Sequence, residues 1–239
     1  GVAGVAGADV TNYGTISGQA NAILVNNGSL SLTNHAGAII NGTVQMAGGS
    51  GGSVDNAGTI SGGTLMQIVL RGDSTLINRA SGRIESTNNG VFIQNGTGNV
   101  ENGGRIVSTP TATSNSAVYL HGSGSLLNAQ SGEIRGSIGV RFGNSGAVTA
   151  GTASLVNHGT ITGTNYYPVL FQNVEAASLT NTGSLVGGQH GVLVTGTNAS
   201  IIDNTGLISG DRAIVFSGSG MHTIANSGQI VATNGPAIS

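Results

Sequence analysis

Apolar and polar residues alternate along this chain in short runs, and the runs recur. One unit consists of an aliphatic residue, any residue and Asn, followed by a short turn that usually contains Gly, and then Ile or Leu. It reads V-T-N-Y-G-T-I at Val10, V-D-N-A-G-T-I at Val54 and I-D-N-T-G-L-I at Ile202. Its asparagines are Asn12, Asn34, Asn56, Asn78, Asn102, Asn128, Asn157, Asn181, Asn204 and Asn226, at intervals of 22 to 29 residues. Between them, two inward candidates lie two residues apart: Ile23 and Val25, Ile68 and Leu70, Val140 and Phe142, Val169 and Phe171. Alternation of period two over about four residues predicts strands rather than helices.

Each repeat therefore holds three short strands, carrying the aliphatic-x-Asn, the G-x-Ile and the V-x-L patterns, with three turns between them. A single coil of this kind cannot bury its inner face, so coils must stack, about 4.8 Å apart. Equivalent strands then pair in parallel, and parallel crossovers are right-handed almost without exception. The predicted fold is all-β: one right-handed three-stranded parallel β-helix, or β-solenoid, over 1–239, with about ten coils of 22–29 residues. The Asn row is expected to be structural, each amide bonding to backbone and to the Asn of the coils above and below. A last strand that begins at Ile238 suggests a fragment of a longer stack.

Composition narrows this further. The 43 glycines without a G-X-Y period exclude collagen. Frequent β-branched residues and a net charge of −2 argue against disorder. Seven arginines scattered along the sequence, with no lysine, form no run that would suit nucleic acid or an anionic membrane surface. No apolar run is long enough for a membrane helix, so direct membrane insertion is not expected. The absence of cysteine suits a chain that crosses an envelope unfolded.

Function is expected where the repeat departs from its own rule. Two turns are long, one between Ile106 and Val118 and the other between Phe142 and Leu155. Insertions in solenoids gather on functional faces. The outward position of the V-x-L strand between these turns reads Leu24, Gln45, Val69, Phe92, Tyr119, Arg141, Leu170, Leu193 and Val215, with Tyr166 and Tyr167 just before it. An exposed apolar and aromatic row suits a partner, and Phe92, Tyr119, Arg141, Tyr166 and Tyr167 form the candidate binding ridge. Such a row also suits stacked strands on its own account. Arg83, Arg105 and Glu133 share another outward slot, where two arginines would repel unless acids or an anion lie close.

No catalytic residue is assigned, and neither a metal nor a cofactor is expected. Of the nine acids, no two share a strand row on adjacent coils; Asp55 and Glu101 share a row but skip a coil, a distant match to an inverting hydrolase pair. The histidines His35, His121, His158, His190 and His222 show no ligand spacing.

The repeats V-T-N-Y-G-T-I-S-G, V-D-N-A-G-T-I-S-G-G, L-V-N-H-G-T-I-T-G and I-D-N-T-G-L-I-S-G resemble those of bacterial autotransporter passenger domains. The resemblance covers essentially the whole chain, and similar repeats occur in two-partner secreted adhesins. It implies a non-enzymatic extracellular rod at the bacterial cell surface, moved through the outer membrane by a barrel lying outside these residues. Its implied partners are a host or bacterial surface protein or glycan, or the chain itself. A carbohydrate-binding or carbohydrate-cleaving β-helix and a passive stalk presenting another domain are the alternatives.

Overall fold

A computed structural model describes residues 2–4, 7–63, 66–109, 115–146 and 149–239. Among these residues there is no helix, and every strand pairing is parallel. The chain winds as a right-handed β-solenoid of about nine turns, with coils of about 23 residues. Nine intervals separate the ten asparagines, so the ten first-face strands enclose nine complete turns.

Three faces make up each coil. The first face stacks ten strands in chain order, from Ala8–Asn12 to Met221–Asn226. The second face carries the G-x-Ile strands and the third the V-x-L strands. In the first two coils the second and third faces are joined, because Thr15–Val25 and Ile39–Met46 run on through the corner. Later coils break at that corner, as between Arg83–Ser86 and Val91–Gln94.

The registers follow the repeat. Asn12 pairs with Asn34, Ile84 with Ile106, and Val118 with Val140. The inward rows are largely aliphatic and buried through the middle of the rod, less so at its ends around Ile16, Phe216 and Ile224, with Phe142 and Phe171 stacked inside at 5.2 Å between ring centroids. Glycine on the first face leaves room for inward side chains of the third face. A Cβ at Gly98 would press on Leu120 and Ile93, which fill the space opposite.

The Asn ladder forms as the sequence predicts. Nδ2 of each ladder asparagine donates to Oδ1 of the asparagine one coil later, from Asn12 through to Asn226, at 2.7–2.9 Å. Most of these amides also donate to backbone carbonyls of the adjoining turn, as Asn102 does to Gly104 at 3.1 Å. All are buried except Asn226. Each amide thus satisfies backbone groups that the turn leaves unpaired, the condition under which a buried polar residue is tolerated.

Candidate functional site

The outward row of the third face is assembled by register, Val69 beside Phe92, then Tyr119, Arg141 and Leu170. Strand spacing brings consecutive side chains within reach of one another. The Phe92 and Tyr119 rings lie 5.0 Å apart, and the Arg141 guanidinium carbon sits 4.6 Å from the Tyr119 ring centre. This is a cation–π contact at the end of an aromatic stack. Arg141 Nη2 donates to Gln172 Oε1 at 2.6 Å, while its buried Nε has no acceptor.

One expectation needs correction. The alternation predicts an exposed row, but Phe92 is only 9% exposed, Val69 8% and Leu170 5%. None of the nine residues from Leu24 to Val215 is fully exposed. Neighbouring outward side chains and the flanking corners cover them, so the row forms the floor of a trough rather than a ridge. Beside Phe92 the trough opens into a groove of about 390 Å³ lined by Gln45, Met66, Val69, Arg71, Phe92 and Gln94. There Arg71 donates from Nε to the Met46 carbonyl at 3.1 Å and lies against Gln94.

Two of the five candidate residues form a separate group. Tyr166 and Tyr167 sit at the corner before Val169, where Gly139 N–H donates to the Tyr167 carbonyl at 2.8 Å. Their rings are 5.6 Å apart, and Tyr167 stacks on His190 at 5.2 Å. Among the described residues no ring contact joins this pair to the Phe92–Tyr119 stack. The tips of the two long turns, 110–114 and 147–148, lie outside the described residues.

His121 belongs to the first group and was missed from the sequence, although it stands two residues after Tyr119 and therefore faces the same way. Its ring lies 5.6 Å from Tyr119 and 6.1 Å from Phe92. Burial, and then the Arg141 charge, lower the His121 pKa and favour the neutral ring. Burial raises the Tyr119 pKa, with Arg141 opposing, and it raises that of Tyr167, with Tyr166 adding to the effect.

Charge is distributed unevenly around the rod. Among the described strands, the first face holds Asp9, Asp55, Glu101, Glu175 and Asp203 and no arginine. The third face holds Arg71, Arg141 and Arg212 and no acid. On the second face, Arg83 and Arg105 share Glu85 at 3.6 and 3.4 Å, and Arg105 also pairs with Glu133 at 3.1 Å. The repulsion expected in that slot is answered by an acid two residues after Arg83. A larger cleft of about 680 Å³ beside Glu85 and Arg105 is therefore lined by charges that already neutralise one another.

The remaining sequence candidates stay apart. Asp55 and Glu101 keep one row with Ile77 between them. Arg79 donates to both Asp55 oxygens, at 2.8 and 2.7 Å, and these bonds hold the Asp55 carboxyl below its usual range. Among the described residues no group of three His, Asp or Glu could hold a metal ion. Comparison with protein families, with curated proteins and with solved structures returns no match to this chain.

Proposed function

We propose that this chain is a non-catalytic extracellular rod, of the kind seen in autotransporter passengers, that contacts a partner through its third face. The observation carrying this reading is the Phe92–Tyr119–Arg141 stack, set in a trough, with Arg141 in no ion pair among the described residues. Two features support the extracellular setting: the passenger-like repeats and a chain without cysteine. The rod as a whole would hold this face away from the cell.

The test compares retention of the purified rod on cells, and its self-association, for wild type and for a Tyr119→Ser, Arg141→Gln, Tyr167→Ser variant. Phe92 is left intact because it is buried. The variant should lose about tenfold or more in apparent affinity, since aromatic and Arg anchors dominate interface energies. Unchanged retention and self-association with an unchanged circular dichroism spectrum would reject the third face as the contact surface. A hydrolytic reading makes a different demand, cleavage of a polysaccharide that stops on Glu101→Gln.

A further inference from the structure

We infer that the trough around Arg141 binds a carboxylate-bearing polysaccharide, a reading that rests on the third face being a contact surface. Four observations lead there. First, Arg141 is a cation without an ion pair among the described residues, and the strands of its face carry Arg71 and Arg212 but no acid. The face is thus complementary to an anion, while the first face would repel one.

Second, the stack consumes the aromatic faces. Phe92 lies against Tyr119, and Tyr119 against the Arg141 guanidinium. What remains for a ligand are the tips: the Tyr119 hydroxyl, the terminal Arg141 N–H groups left over from its bond to Gln172, the His121 ring nitrogens and the Gln172 amide nitrogen. The Tyr119 hydroxyl makes no hydrogen bond among the described residues. Polar tips of this kind suit a ligand dense in hydroxyls better than an apolar protein anchor.

Third, geometry leaves room for an oxyanion. Arg141 stands between Tyr119 and Leu170 at strand spacing, so a group in line with its guanidinium has a slot about 4.8 Å to either neighbour. A carboxylate fits that slot against the guanidinium. Fourth, the groove of about 390 Å³ continues from Phe92 towards Arg71, three coils before Arg141. An extended chain lying along the rod axis would run from one arginine to the other.

The test is a binding titration of the whole rod with alginate, a polyuronate, alongside dextran and dextran sulfate. Alginate should bind, weaken as salt is added, and lose about tenfold or more in affinity on Arg141→Gln, the loss expected for a charge-assisted contact. Arg141→Lys, which keeps the charge without the fork, should also bind more weakly than wild type. The inference falls if alginate binds no better than dextran. It falls too if Arg141→Gln or Arg141→Lys binds alginate as wild type does, or if only dextran sulfate shows dependence on Arg141. Should the triple variant lose cell retention while alginate fails to bind, the contact face stands with a protein partner and the saccharide is rejected.

Discussion

At the scale of single residues, the ladder asparagines show how a polar side chain can carry a fold. Asn128 is fully buried, accepts from Asn102 at 2.8 Å and donates to Asn157 at 2.8 Å. Asn128→Ala removes both bonds and leaves two buried amides short of a partner. Each deficit costs about 1–3 kcal/mol, so the variant should lose about 3 kcal/mol in urea unfolding. Asn226→Ala, at an exposed rung, should cost less than about 1 kcal/mol. Equal losses at the two positions would mean that burial does not set the worth of a rung. These asparagines were legible in the sequence because one residue type recurs at one place in every repeat. The burial of Phe92 was not legible. It depends on Tyr119 one coil away and on corner residues such as Met66 and Asn88, which no local pattern places there.

At the scale of strands, the pairing of rows was readable and the chemistry between rows only partly so. The spacing of repeats places Phe142 beside Phe171, and the structure stacks them. Phe142→Ala should open a cavity costing about 3–5 kcal/mol. Because each coil touches only its neighbours, hydrogen exchange should rise first in the strands around Val118, Val140 and Val169 rather than uniformly. A uniform rise would show the rod unfolding as one unit. Sequence spacing also paired Arg83 with Arg105 but overlooked Glu85, which lies in the next outward slot of the same strand as Arg83. Equivalent positions of successive coils define a row, whereas the neighbour two residues on in the same strand belongs to a different row. His121 escaped for the same reason. The corner that holds Tyr166 and Tyr167 breaks the repeat, so their separation from the Tyr119 stack could not be read from spacing.

At the scale of the whole molecule, winding turns a scattered sequence into sorted faces. Seven arginines and nine acids show no clustering along the chain, yet the coil period delivers five acids to one face and three arginines to another. This sorting depends on insertions being absorbed at corners, so that intervals of 22 to 29 residues all return the chain to the same rung. The number of turns and the course of the faces follow from that rule alone, which is why the architecture was legible where the trough was not.

The unequal intervals have a mechanical consequence. The hydrogen bonds between coils run along the rod, so tension along its axis loads one layer at a time and peels coils from an end. A released coil of 22 residues lengthens the tether by about 70 Å, and one of 29 residues by about 95 Å. A rod pulled by its ends should therefore give a sawtooth of unequal teeth. The longest belongs to the stretch between Asn128 and Asn157. Evenly spaced teeth, or a single rupture, would contradict layered peeling.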